Sequence, residues 1–258
     1  GGSATSTTIN SGGQQWVSSG GSATGTTINS GGQQRVSSGG SAVDITQNSG
    51  GAIVANTSAV LSGTNGKGTF SIAGGSASNM LLENGGYLSV LNGHQATSTT
   101  INSGGLQHVN GGGSATSTTI NSGGLQWVYG SATSTTIYSG GQQWVSGSAT
   151  STTINSGGEQ WVSGSATSTT INSGGLQDVY SGGSATGTTI NSGGNQNVSS
   201  GGSATSTTIN SGGMLSVSSG GSAVDITQNS GGAIVANTSA VLSGTNGKGT
   251  FSIAGGSA

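Results

Sequence analysis

The chain has no cysteine and no proline in 258 residues. Without cysteine there are no disulfide staples and no thiolate metal sites. Without proline no strand is interrupted by a residue that cannot donate to a ladder. Charge is nearly as scarce: three Lys and Arg against five Asp and Glu give a net charge of -2, with charged residues at 3%. Nucleic acid requires arrays of Lys and Arg to neutralise phosphates, and Arg35, Lys67 and Lys248 are too few and too scattered to form one. The same scarcity excludes a basic helix lying on an anionic membrane. No apolar run reaches the about 18 residues of a spanning helix. No signal peptide opens the chain. It starts and stops within a repeat, so the expectation is a piece of a longer protein whose signals and anchors lie elsewhere.

What the chain has in abundance is glycine, 55 residues, arranged in a strict repeat whose first copy reads GGSATSTTINSGGQQWVSSG. Gly and Ser richness alone suggests a flexible linker, but apolar residues returning at fixed places in a fixed period require order. Alanine anchors run from Ala4, Ala23 and Ala42 to Ala240 and Ala258, separated by 17 to 19 residues, which makes about 14 coils. That period lies just below the usual solenoid range of about 20–50 residues. It is too short for a helical hairpin and suits two or three short strands with tight turns.

Within a copy, ATSTTIN and QQWV are runs rich in β-branched and amide residues, while SGG and SSGG are turn sequences that supply positive φ. Each coil reads as strand, turn, strand, turn. Stacked coils with about 4.8 Å between strands make a rod of roughly 67 Å. The expected fold is all-β, a right-handed parallel β-helix of 17–19 residues per coil, forming a single repeat domain over 1–258. Alternation places Ile9, Val17 and their copies inside, with Leu82 in the Ile place of a divergent coil. Thr7, replaced elsewhere by Ile45 and Met80, also faces inward, and Gln15 and its copies form an internal amide ladder. Two segments depart from the pattern: TSAVLSGTNGKGTFSIAGGSA reads as a longer loop with an Asn-Gly turn, and NMLLENGGYLSVLNG carries a more apolar core. The segments 36–77 and 217–258 are identical over 42 residues, a duplication that lengthens the array without changing its surface chemistry.

The unit GGSATSTTINSGGQQWVSSGG and the interruption LSGTNGKGTFSIAGGSASNMLLENGGYLSVLNGHQATSTT closely resemble the passengers of the AIDA-I/TibA-type self-associating autotransporter adhesins of pathogenic Escherichia coli. The resemblance spans the whole chain. It implies an extracellular β-helix exported through a C-terminal outer-membrane β-barrel that is not in this sequence. It further implies bacterial aggregation, biofilm formation, adhesion to a host-cell receptor of unknown identity, and O-glycosylation by a dedicated cytosolic heptosyltransferase. No cofactor and no enzymatic activity come with it.

The NSGG turn is a recurring backbone shape in which a Ser hydroxyl is followed by two residues without side chains, so a transferase pocket can approach. The serines are Ser11, Ser30, Ser103, Ser122, Ser139, Ser156, Ser173, Ser192 and Ser211, with Ser49 and Ser230 in the variant coils. Read without the resemblance, Ser is simply a good turn former; the resemblance makes these positions candidate heptose acceptors. The second turn and the Ser6-type position are weaker candidates. The outward position between Gln15 and Val17 varies most, holding Trp16, Arg35, His108, Trp127, Trp144, Trp161, Asp178, Asn197 and Ser216. Trp127, Trp144 and Trp161 recur every 17 residues and should stack about 5 Å apart, the strand spacing, as an exposed strip for association with identical chains.

Two other functions compete with the adhesin. Ser6, Thr8 and their copies would form a flat hydroxyl array suited to ice. Glu159 and Asp178, one coil apart on the same sheet, are the only carboxylate pair suited to glycan cleavage, at roughly 8 Å by strand geometry. No basic partner accompanies them. His94 and His108 stand alone, so no metal site is expected, and NGKGT lacks the spacing of a phosphate loop.

Overall fold

The computed structural model describes residues 1–254, and they contain strands and turns with no helix. The repeat alanine Ala258 lies outside the described residues. Two compact units, Gly1–Ala132 and Thr133–Ala258, are each a parallel β-solenoid, about 13 turns in all.

A standard coil holds three strands, as in Ser22–Thr24, Thr27–Ile28 and Gln33–Val36. The expected single strand through ATSTTIN is therefore broken in two. The break is at Ser6 and its copies, which adopt left-handed φ of 52 to 57°, with Gly25 and Gly187 at the same place. Short polar residues and Gly tolerate this region, and the bend supplies a corner of the coil. Ser6 thus stands in the bend itself, between the strand ending at Thr5 and the strand starting at Thr8, so Ser6 and Thr8 do not share one flat strand.

Coils stack in register, like on like: Ala4 on Ala23, Thr8 on Thr27 and Gln15 on Gln34 in the first unit, Ala149 on Ala166 and Gln143 on Gln160 in the second. Coils of 17 and 19 residues keep this register because the two-residue difference falls in the second turn, where SSGG shortens to SG.

The inward residues are those the alternation selects. Ala23, Ile28 and Val36 are buried, as are Ala149, Ile154 and Val162 in the second unit, while Ala4 of the first coil is half-buried. Beside them runs a buried polar ladder. Gln160 Nε2 donates to Gln143 Oε1 at 2.7 Å and to Thr152 Oγ1 at 3.1 Å, and its own Oε1 accepts from Gln177 Nε2 at 2.7 Å. Amide on amide, with a threonine hydroxyl bracing each rung, lets an otherwise costly group sit fully buried.

The segment read as a longer loop is a β-hairpin. Val60–Asn65 pairs in parallel with Ser41–Gln47, then turns into the antiparallel strand Gly68–Ala73, which pairs antiparallel with Ser76–Ser78. The Asn65 side chain accepts from Lys67 N–H at 2.8 Å and fixes the turn. The hairpin adds Phe70 and Ile72 to the interior, where Ile45, Ile53, Met80 and Leu88 replace the Thr and Gln rungs. The switch from amide to apolar rungs leaves Gln34 Oε1, opposite Ile53, buried without a partner. The second unit repeats the hairpin with Val241–Asn246 and Gly249–Ile253.

Candidate functional site

The local sequence Asn-Ser-Gly-Gly closes as a β-turn in which Gly13 N–H donates to Asn10 O at 2.8 Å and Gly12 sits at φ 75°. A positive φ at the third residue requires Gly in such a turn. Turns stack as strands do, with Gly12 N–H donating to Gly31 O at 2.9 Å. Alongside runs an amide ladder that the sequence reading did not single out: Asn29 donates to Asn10 at 2.8 Å and Asn48 to Asn29 at 2.7 Å. In the second unit Asn172, Asn191, Asn210 and Asn229 continue the same pattern. The signal was present as an invariant Asn before each Ser, except Tyr138.

All eleven serines named from the sequence are exposed: Ser11, Ser30, Ser49, Ser103, Ser122, Ser139, Ser156, Ser173, Ser192, Ser211 and Ser230. Their hydroxyls share an environment. A methyl group at Gly31 would lie 2.7 Å from Ser11 Oγ; at Gly174 it would lie 2.7 Å from Ser156 Oγ, and at Gly212 2.6 Å from Ser192 Oγ. In these coils the glycine of the following coil thus leaves room beside the hydroxyl of the coil before it. Second-turn serines have the same relation, with Ser181 Oγ 2.6 Å from the Cβ site of Gly201.

The outward aromatics divide between the units. In the first, Trp127 meets His108 edge-on at 5.9 Å and His108 meets Tyr129 at 5.2 Å. In the second, the rings of Trp144 and Trp161 lie 4.7 Å apart, tilted by 45°. Tyr129, Tyr138 and Tyr180, unremarked in the sequence reading, add exposed rings. Burial first, then the charges of Asp178 and Glu159, raises the Tyr180 phenol above its ordinary pKa.

The carboxylates are occupied individually. Glu159 Oε2 accepts from Gln142 in the preceding coil at 3.1 Å, whereas Asp178 Oδ1 accepts from Asn197 in the following coil at 2.8 Å. The two are pulled in opposite directions along the stack. Glu83 accepts from Gly50 N–H at 2.6 Å and from Asn102 at 3.1 Å, capping an asparagine ladder. His94 Nδ1 bonds the buried Thr57 hydroxyl at 2.8 Å, and His108 Nδ1 lies 3.2 Å from Tyr87 OH. Among the described residues no cluster of three metal-ligating side chains exists.

Comparison with known proteins places this geometry. The family described as the adhesin of the bacterial autotransporter system, probable stalk, matches residues 62–124 and 162–213. Over 31 residues the chain is 71% identical to the autotransporter adhesin/invasin TibA of Escherichia coli O78:H11 (strain H10407 / ETEC), which is 12% of this chain and 3% of that protein. Over 31 residues it is 77% identical to the autotransporter CRAC of Citrobacter rodentium (strain ICC168), 12% of this chain and 2% of that protein. The matched stretch is thus a small fraction of each curated relative's length. The crystal structure of a hyper-glycosylated TibA fragment, its glycosylation catalysed by TibC, superposes with a TM-score of 0.65 at 49% identity, covering 96% of this chain and 92% of that one. The chain belongs to the AIDA/TibA-type autotransporter adhesin passengers.

Proposed function

We propose that this passenger segment is a glycosylated surface adhesin, the acceptor of a heptosyltransferase that modifies its NSGG serines in the cytosol before export. The observation that carries the reading is the repeated turn: eleven exposed serines, set in a chain 49% identical to a hyper-glycosylated fragment. A transferase that recognises one backbone shape meets that shape in coil after coil. The chain is substrate and scaffold, without turnover of its own; separate engagement of Glu159 and Asp178 supports this. Exposed on the bacterial surface, the array associates with identical passengers in autoaggregation and biofilm formation and adheres to host cells. Trp127, Trp144 and Trp161 supply the apolar part of that contact, and many weak polar contacts add by repetition.

The test is expression with and without the heptosyltransferase, followed by intact mass and peptide mapping. Heptose increments on NSGG peptides are expected. An unmodified mass in the presence of an active transferase refutes the acceptor reading. Alanine at Trp144 and Trp161 should slow settling of displaying cells while leaving the far-UV spectrum unchanged; unaltered settling removes the aromatic strip from the contact.

A further inference from the structure

Arg35 is the only arginine of the chain, and it stands in a groove that the glycan turns and the tryptophan pair do not use. Its guanidinium lies over the Trp16 ring, 5.5 Å from the centroid, and its Nε donates to Gln33 Oε1 at 2.7 Å. These two contacts hold the guanidinium over the ring through Nε and the ring face, and neither uses its two terminal nitrogens. No carboxylate contacts it among the described residues; Glu83 bonds Gly50 and Asn102 elsewhere.

The groove itself arises from a register change. Gln33–Val36 stacks on Ala52–Ala55, so Arg35 faces Val54, but Tyr87 then pairs with Val54 and Ser89 with Asn56, two residues out of step. A slip of two preserves the inward and outward sides while offsetting the outward side chains. The resulting depression, about 310 Å³, is lined by Trp16, Arg35, Val54, Asn56, Tyr87 and Ser89. Small-molecule sites begin at about 300 Å³.

We propose that this groove binds a carboxylated saccharide. The terminal nitrogens of a planar, pre-oriented guanidinium match a carboxylate in bidentate fashion. The rings of Trp16 and Tyr87 present apolar faces to the C–H face of a pyranose. Asn56 and Ser89 offer an amide and a hydroxyl to ring hydroxyls. The second unit carries the same duplicated segment without the residues that flank it in the first. Its identical segment begins at Val217, one residue after Ser216, so Ser216 holds the place of Arg35 and Asn197 that of Trp16. The duplicated sequence alone does not build the site: Trp16 and Arg35 precede it, and Tyr87 and Ser89 follow it. The site also stands apart from serine modification, since the unmodified chain has it.

The experiment is titration of the unmodified 258-residue chain with glucuronic acid and N-acetylneuraminic acid, read by saturation-transfer NMR and calorimetry, with glucose and acetate as controls. Millimolar binding of both acidic sugars is expected, weaker by at least about tenfold in Arg35→Ser and reduced in Trp16→Asn. Each variant adopts the second unit's own residue, and an unchanged far-UV spectrum accompanies the loss. Undiminished binding in Arg35→Ser, equal binding of glucose, or no binding of either acid overturns the proposal. Acetate bound as tightly as the acidic sugars overturns its saccharide part. A passenger that accepts no heptose yet binds glucuronate separates this site from the acceptor reading.

Discussion

Replacing Gln160 with Leu tests the polar ladder directly, because the chain itself places Leu at this position in Leu88 and Leu215. Gln160 is fully buried and takes part in four bonds: to Gln143 and Thr152 as donor, and from Gln177 and, at 3.4 Å, Thr169 as acceptor. At about 1 kcal/mol net per bond the loss is about 4 kcal/mol. Burying a fully apolar side chain of similar size offsets about 1–2 kcal/mol of this. The expected destabilisation is about 2–3 kcal/mol. Gln34→Leu is the matched control. Gln34 donates to Gln15 Oε1 at 2.7 Å, but its own Oε1 is buried without a partner, because Ile53 stands opposite in the next coil. That substitution gives up one bond and removes an unsatisfied carbonyl costing about 1–3 kcal/mol, so it should be neutral or stabilising. Because a solenoid can open coil by coil, amide exchange across the flanking strands is the assay, with urea midpoints alongside. Equal losses in the two variants, or a larger loss at Gln34, refute the ladder argument.

Gly31→Ala should cost about 1–2 kcal/mol, since φ there is 74° and the left-handed region penalises a Cβ. By filling the space beside Ser11 Oγ it should also lower heptose occupancy at Ser11 and not at Ser192, as read by peptide mapping. Gly63→Ala, whose methyl would collide with the Ile45 backbone carbonyl and lie 2.7 Å from its Cβ, should destabilise the first unit by about 1–3 kcal/mol, while Gly66→Ala, with nothing within 4 Å, should be silent in the same melt. The raised pKa of Tyr180 favours its neutral form in the fold. Its contribution is complete below the unfolded pKa and is lost as pH rises through the higher folded value. Asp178→Asn should lower the Tyr180 midpoint in an absorbance titration; an unmoved midpoint refutes the charge contribution.

Period, alternation and glycine placement were legible in the sequence, because a repeat averages out local ambiguity. Ile9, Val17, Gln15 and Thr7 recur in phase, and only one arrangement buries them all. The eleven turn serines were legible for the same reason. The Ser6 corner was not, because Ser carries no strong signal for left-handed φ, and ATSTTIN has the composition of one continuous strand. The hairpin was not, because LSGTNGKGTFSIA lies outside the repeat and its partners are decided by which ladder edge is free.

The sequence by itself determined a stacked β-coil with an apolar and amide interior and a serine-bearing turn presented in every coil. These follow from period-two alternation and from glycine's access to positive φ, both local properties of the chain. The tertiary structure decided what depends on register between coils. It set glycine beside the serine hydroxyl of the coil before, turned Glu159 and Asp178 in opposite directions, and slipped Tyr87 by two residues against Val54 to open the groove at Arg35. Register is fixed by how neighbouring coils bury their side chains together, and no single copy of the repeat contains that information.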